Sequence, residues 1–526
     1  MARGSVIPQN RARNYSVRLG WLVMILAGGA SGLALPPLGW WWVLLVTVPL
    51  LLQHFEKTAG LGWRAPFGSG LSFGFGYFCV AFHWIGFAFF VNAADIWMMP
   101  FAVGGLALFM SCYWGVALAV AARLPEAVVP RWLAALILLS LAEFLRGRLL
   151  TGFPWAVPGL AVDGMGGVAQ LVSVVGVNGL TLLVLVWCAL PFIIWRNRQA
   201  GGMALLAASL VLAGLPLAHV WGVWRLSVMP SAFHGDAMVR LVQPNVSQND
   251  KWRTDNAEAI FDRLLSLSGE GAGSTTFRLV IWPESAVPFL LDEDTVALRR
   301  IAGLLAPGQT LLTGAIRREV APSGCLSCAE PYFTSIVMID DQGVVSATYD
   351  KWRLVPGGEY LPMEGILSRF GFRKVVALPE SFTAGAGPRN LPVPGLGPVG
   401  MLICYEVIFS NALVSDERPS LLVNVTNDGW FGRSVGPHQH LAQARMRSIE
   451  QALPVLRAAN TGISAVIDAA GRIIVQTELE QPTFVDSRIP RAGPATVYAL
   501  AGDLMLAAVM LALMILLRGM RSQTRQ

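Results

Sequence analysis

Long apolar runs alternate with short polar breaks through the first 225 or so residues, and one more apolar run follows near the C-terminus. A helix that crosses a bilayer needs roughly 20 mainly apolar residues. The pattern predicts such segments at about 19–37, 39–53, 67–91, 98–122, 132–146, 167–195, 202–222 and 497–517. Pro36 and Pro37 mark the turn between the first two. In the third, Gly70 with Gly74 and Ser72 with Gly76 are small residues four apart, a spacing that lets helix backbones approach closely. Between the seventh and eighth segments lies a polar island with other periods. Short apolar strands are predicted at 238–242, 278–282, 310–316, 332–339, 344–349, 399–403 and 421–425, and a hairpin from 463–467 and 472–476. Helical periods run over 254–267, 294–305 and 438–451. Strands and helices mixed in this way predict a layered α/β sandwich.

Composition supports the membrane reading, since 54% of the 526 residues are hydrophobic and 14% charged. The net charge of +6 does not call for a nucleic-acid partner, because the basic residues cluster between apolar runs. Arg3, Arg11, Arg13 and Arg18 precede the first run, and Lys57, Arg64, Arg123, Arg131, Arg196, Arg198, Arg518, Arg521 and Arg525 follow the even-numbered ones. Eight crossings put all of these on the cytoplasmic side, with both termini, and put the island on the opposite face. Arg146 and Arg148 are exceptions that fall outside. The first apolar run continues into a second without an Ala-x-Ala-like site, so it is expected to be an anchor and not a cleaved signal. The expected division is a membrane domain with seven helices at 1–225, an extracytoplasmic domain at 226–495, and a last helix with a cytoplasmic tail at 496–526.

Chemistry concentrates in the island. Of the six cysteines, Cys79, Cys112 and Cys188 lie within apolar segments as packing residues. Cys325 and Cys328 sit in a Pro/Gly/Ser-flanked loop, and a zinc site there lacks a second ligand pair, so an oxidising compartment makes a local disulfide the expectation. Cys404 is left over as a free thiol. Glu284, Lys351 and Cys404 each stand just past the end of a predicted strand. Together they suit acyl transfer: a carboxylate takes the thiol proton, the thiolate attacks a carbonyl, and an ammonium with a backbone N–H steadies the oxyanion. Taken singly they read equally as a solvated carboxylate, an exposed lysine and an inert buried thiol.

Local sequence separates these readings. Trp282-Pro283-Glu284-Ser285-Ala286, then Tyr349-Asp350-Lys351-Trp352-Arg353-Leu354-Val355-Pro356-Gly357-Gly358-Glu359, then Cys404-Tyr405-Glu406 resemble the nitrilase (carbon–nitrogen hydrolase) superfamily. The resemblance implies an α-β-β-α sandwich with Glu284 as base, Lys351 at the tetrahedral intermediate and Cys404 as nucleophile, with Glu359 orienting the triad. Across nearly its whole length the chain is also similar to the bacterial apolipoprotein N-acyltransferases. The matching features are Glu143-Phe144-Leu145-Arg146-Gly147, Leu150-Thr151-Gly152-Phe153-Pro154-Trp155, Leu241-Val242-Gln243-Pro244-Asn245, Asn427-Asp428-Gly429-Trp430-Phe431-Gly432 and His440-Leu441-Ala442-Gln443-Ala444-Arg445-Met446-Arg447. Trp252 stands where that family has a functional tryptophan. At Tyr332-Phe333-Thr334 the chain departs from nitrilase relatives, many of which carry Asn there. The similarity implies a multi-pass protein of the bacterial inner membrane with a periplasmic catalytic domain. A phospholipid, typically phosphatidylethanolamine, would give an acyl chain to Cys404. The amine of diacylglyceryl-cysteine on an apolipoprotein would receive it.

Several residues keep two readings. The Tyr405 N–H is an oxyanion donor, or its ring is plain packing. Glu406 orients the site, or pairs with an arginine of the 438–451 helix. Trp252 lines an acyl pocket, or anchors at the membrane interface. Arg146 and Arg148 bind a lipid phosphate or cap a helix end, with Glu143 as a ready ion-pair partner for Arg146. His438 and His440, two apart, do not share a helix face, so no metal is expected, and no cofactor. A membrane-bound amidase or nitrile hydrolase is the competing enzyme reading, and a transporter or scaffold the non-enzymatic one.

Overall fold

The computed structural model describes residues 9–124, 127–199, 202–270, 277–319, 330–361, 363–370, 382–410 and 417–523. Cys325 and Cys328 lie outside them, so their expected pairing does too. The chain divides into two compact units, one of residues Met1–Gly86, Ala94–Trp224 and Ala501–Gln526, the other of Phe87–Ala93 and Arg225–Leu500.

Long helices run Gln9–Gly32, Leu44–Ala59, Arg64–Phe82, Met99–Ala121, Val128–Arg146, Val172–Arg196, Gly202–Val228 and Leu504–Gln523, each overlapping one predicted apolar segment. Among the described residues, five stretches are long and apolar enough to cross a membrane: Arg64–Phe90, Ala93–Ala121, Val128–Arg146, Gly166–Arg196 and Ala208–Val228. Leu19–Gly32 is a shorter apolar helix, and Leu44–Ala59 has 16 residues. The first helix stops at Gly32, ahead of the proline pair, where the prediction ran on to 37. The small residues act as predicted. A Cβ on Gly76 would lie 1.9 Å from Ile25 O, and one on Gly70 would lie 2.3 Å from Trp114 O. Only glycine allows the Arg64–Phe82 backbone to touch its neighbours on both sides.

The second unit is built on two six-stranded sheets. The first contains β1 (Phe233–Gln243), β2 (Phe277–Trp282), β3 (Thr310–Arg318), β4 (Tyr332–Asp340), β5 (Val345–Asp350) and β12 (Thr483–Pro490), ordered β12-β1-β2-β3-β4-β5. The second contains β6 (Asn390–Val393), β7 (Gly397–Ile403), β8 (Leu421–Thr426), β9 (Val455–Ala459), β10 (Ala465–Ile467) and β11 (Ile473–Gln476), ordered β11-β10-β9-β8-β7-β6. One apolar cluster joins the sheets: Leu241, Leu279, Ile281 and Ile336 from the first meet Met401, Ile403, Val423 and Leu456 from the second. Another cluster lies outside the first sheet. There Ile260, Phe261 and Leu264 of helix Ala257–Gly269 and Ala297 and Ile301 of helix Thr295–Leu304 cover Val280, Leu311 and Val337. Helix Gly436–Gln451 packs on β9. The result is the expected α-β-β-α sandwich. Each fully buried aliphatic or aromatic side chain contributes about 1.5–3 kcal/mol to it. Helix Thr295–Leu304 starts where predicted because the Asp294 carboxylate accepts from Val296 N and Ala297 N. Three strands, β6, β9 and β12, had no counterpart in the predicted pattern. A central arginine, Arg457, interrupts the apolar run of β9, and β12 carries Asp486 and Arg488 on its outward positions.

Candidate active site

Three strand ends converge on one buried cluster. Past β2 the chain turns at Pro283, and β3 pins the turn, with Gly314 N donating to Pro283 O at 3.2 Å and Ala286 N to Gly314 O at 2.8 Å. Gly314 must be glycine, since a Cβ there would lie 2.5 Å from Glu284 Cα. Past β5, Lys351 N donates to Thr334 O at 2.8 Å. Past β7, Cys404 takes a left-handed conformation at φ 48° and is a buried free thiol. Lys351 Nζ then lies 3.1 Å from Glu284 Oε1 and 2.8 Å from Glu359 Oε1. Glu284 Oε2 accepts from Asn427 N at 2.9 Å, and Glu359 Oε2 from Val355 N at 2.8 Å. Each carboxylate is thus aimed by a backbone amide as well as by the ammonium.

Glu406 ties two of these strand ends together. Its Oε1 accepts from Trp352 N at 2.8 Å and Arg353 N at 3.2 Å, just past Lys351. Its Oε2 accepts from Ile403 N at 2.8 Å, just before Cys404, and from Tyr349 Oη at 2.9 Å. These bonds replace the expected alternative of an arginine on helix Gly436–Gln451. Tyr405 is buried, with its ring edge-on to Phe409 at 5.0 Å, so the ring packs while its N–H follows Cys404.

Burial pushes the Cys404 thiol well above its ordinary range, and Glu284 adds to the rise while Lys351 opposes it. Burial disfavours the Lys351 ammonium too, yet the charges of Glu284 and Glu359 hold it well above the usual lysine range. Burial raises Glu359 against the pull of Lys351. It also raises Glu406 to about 7, opposed by the Ile403 and Trp352 amides. Burial therefore favours the thiol over the thiolate at Cys404.

Two groups of residues escaped the sequence reading. Lys251, in the four-residue helix Gln248–Lys251, is 1% exposed. Its Nζ donates to the Glu284 backbone carbonyl at 3.2 Å, and burial lowers it to about 8, against the charges of Glu284 and Cys404. The only sequence signal was its neighbour Trp252, which is half-buried, its ring centroid 5.8 Å from Lys251 Nζ. The second group is a buried network of His440, Asp428 and Arg457. His440 Nδ1 lies 2.8 Å from Asp428 Oδ1, and Arg457 Nη2 donates to Asp428 Oδ2 at 2.7 Å. Two members stand in sequence stretches already singled out for their resemblance.

Arg146 and Arg148 belong to the helical unit. Arg146 is fully buried: its Nε donates to Glu143 Oε1 at 2.9 Å, its Nη2 to Glu143 Oε2 at 2.5 Å, and its Nη1 to Phe153 O. It has no surface to offer a lipid phosphate, and the ion-pair alternative replaces that expectation. Arg148 pairs with Asp503 and donates to Phe144 O at 3.2 Å. Its side chain is 29% exposed.

Two family models match the chain: the carbon–nitrogen hydrolase family over residues 238–495, and the apolipoprotein N-acyltransferase N-terminal domain over residues 27–190. The chain is 38% identical over 511 residues to an apolipoprotein N-acyltransferase of Rhodopseudomonas palustris, covering 95% of each chain. It is 40% identical over 512 residues to that of Bradyrhizobium diazoefficiens, again covering 95% of each. It is 38% identical over 487 residues to that of Rhizobium rhizogenes, covering 90% of each. With identity of this order running almost from end to end of both partners, the chain belongs to the apolipoprotein N-acyltransferase family.

Proposed function

We propose that the chain matures lipoproteins by N-acylation in two half-reactions carried by Cys404. In the first, Glu284 takes the Cys404 proton as sulfur attacks the carbonyl of a phospholipid acyl ester. Lys351 and the Tyr405 N–H stabilise the oxyanion. The C–O bond then breaks, and the lysophospholipid leaves with the proton from Glu284. In the second, the α-amine of a diacylglyceryl-cysteine attacks the thioester and gives a proton to Glu284. The C–S bond breaks, the amide is complete, and the thiol is restored by that proton. Glu359 and Glu406 position Lys351 and Cys404. The observation that carries this reading is the Lys351 ammonium bridging Glu284 and Glu359 beside a thiol that burial keeps protonated.

The apolar helices and the charge pattern support the following setting. The protein resides in a bacterial inner membrane with eight crossings, both termini cytoplasmic and the sandwich periplasmic. Residues 1–225 form the membrane domain, 226–495 the catalytic domain, and 496–526 the last crossing and tail. Both substrates are lipid-anchored, so a membrane-tethered site meets them in two dimensions. Phosphatidylethanolamine is the expected donor, and Trp252, close to Lys251, the residue we assign to acyl-chain contact. Arg148, partly exposed, is left as the candidate for a headgroup phosphate.

Intact-mass measurement of the protein incubated with phospholipid tests the scheme. The expected result is one acyl increment, released by hydroxylamine and absent from Cys404→Ala. A Cys404→Ala protein that still acylates a diacylated lipopeptide would overturn it.

A further inference from the structure

The backbone is gripped from within the domain on both sides of Cys404. Before it, Ile403 N donates to Glu406 Oε2 at 2.8 Å. After it, Cys404 O lies 3.1 Å from His440 Nε2. Cys404 itself sits at φ 48°, where a residue with a β-carbon is strained, so the chain gains by rotating out of that conformation unless something holds it. The carbonyl of Cys404 and the N–H of Tyr405 belong to one planar trans peptide group and point in opposite directions. Whatever fixes the oxygen therefore fixes the hydrogen.

We propose that His440, backed by Asp428 and Arg457, is a positioning residue that aims the Tyr405 N–H at the oxyanion by holding the carbonyl end of the same peptide group. The inference rests on the acyl-transfer reading above. His440 is 0% exposed and is clamped on its far side: Nδ1 lies 2.8 Å from Asp428 Oδ1 and 3.1 Å from Arg457 Nη2. Asp428 is itself held by Thr426 Oγ1 at 3.0 Å and Arg457 Nη2 at 2.7 Å. Nε2 donates to the carbonyl in the imidazolium, which carries protons on both nitrogens and gives the other to Asp428, and in the neutral tautomer whose Nδ1 accepts from Arg457. Bonding at the carbonyl also polarises the peptide, which makes its N–H a better donor.

The test uses the full-length protein in detergent micelles with His440→Ala and His440→Gln. Two rates on Cys404 are compared at one pH. Thioester formation from phospholipid passes through an oxyanion. Alkylation by iodoacetamide forms C–S and breaks C–I without one. In His440→Ala, thioester formation is expected to fall roughly 10–100-fold while alkylation changes far less, because the N–H is misaimed whereas Glu406 still holds the chain before the thiol. His440→Gln, whose amide nitrogen reaches the position of Nε2, is expected to recover most of the loss. A parallel fall of both rates in both variants would mean His440 merely supports the fold, and an unchanged thioester rate would mean the N–H needs no holding. Either result overturns the inference. Wild-type protein that gains no acyl group on Cys404 would overturn the acyl-transfer reading first, and this one with it.

Discussion

Each unit of the molecule buries an ionic cluster, and the two clusters differ in how completely their charges are matched. In the helical unit, Glu143 meets Arg146 through two hydrogen bonds, Trp114 Nε1 adds a third at 2.7 Å, and the remaining guanidinium edge reaches Phe153 O. One anion faces one cation. Such pairing offsets the cost of removing two charges from water, and leaves nothing poised to react. In the α/β unit, Lys351 faces two carboxylates, while Lys251 makes its bond to a backbone carbonyl and has no carboxylate within ion-pair distance among the described residues. Charges there are matched over the cluster but not pair by pair; burial lowers Lys251, the two carboxylates raise Lys351, and burial raises Glu359. A closed pair holds a bundle together, whereas an open set can move protons.

The largest effect should come from breaking the open set. Cys404→Ala is expected to lower lipopeptide acylation by at least roughly 10⁴-fold with the sandwich still folded, and Lys351→Met by about 10³-fold, with some stability also lost because Glu284 and Glu359 are left without their cation. Radiolabelled acyl transfer and circular dichroism check the two halves of that statement. Arg146→Met should do the reverse. It strands a buried Glu143, and removing one partner of a buried pair costs about 3–5 kcal/mol. The expected outcome is a large drop in the thermal midpoint of the solubilised protein, with turnover per folded molecule falling far less than in Lys351→Met. If Arg146→Met lost turnover without losing stability, the contrast between the clusters would fail.

The His440–Asp428–Arg457 network provides an intermediate case, closed like the helical pair but built behind Cys404. Burial penalises the Asp428 carboxylate, yet Arg457 and His440 outweigh it and hold the group at about 2 instead of 3.8. The folded state thus binds its proton less readily than the unfolded one. The matching stability, on the order of 2 kcal/mol, is complete above the unfolded value and disappears as pH falls through the folded one. Wild type and Asp428→Asn should therefore differ fully in stability above pH 3.8, and by progressively less down to about 2. Urea titrations at a series of acid pH values measure this.

What the sequence made legible follows the range of the interactions. The apolar helices and most of the sandwich strands are marked by local period, and Gly70 and Gly76 by a four-residue spacing. Glu284, Lys351, Glu359 and Cys404 stand in short motifs at strand ends, so their proximity could be anticipated. Arg457 could not: in sequence it interrupts an apolar run, and only folding shows that Asp428 and Asn424 neutralise and bond it. Arg146 carried both readings in the sequence, and only burial decided between them. Lys251 was hidden because four residues of helix have no period, and because a lysine beside a tryptophan reads as surface.

Lys251 gives the smallest expected effect and the sharpest test of what an open cluster does. Its depressed folded-state value means that burial works against the ammonium. Folding is therefore less favourable while the lysine is charged, and this burden lifts as pH rises from about 8 toward the ordinary 10.5. Lys251→Met keeps the chain length and removes the charge. At neutral pH the variant is expected to melt at a higher temperature than wild type, since an unpaired buried ammonium has been replaced by apolar packing. Its acyl-transfer rate should nevertheless fall about 10-fold, because the clamp on the Glu284 backbone and a positive charge near the thiolate are both lost. The rate ratio between wild type and variant should shrink as pH rises through about 8, where wild type sheds the same charge. A purely structural lysine would give the opposite pair of results, with stability lost and the rate ratio flat with pH. Thermal scans and a pH–rate profile on one preparation separate the two.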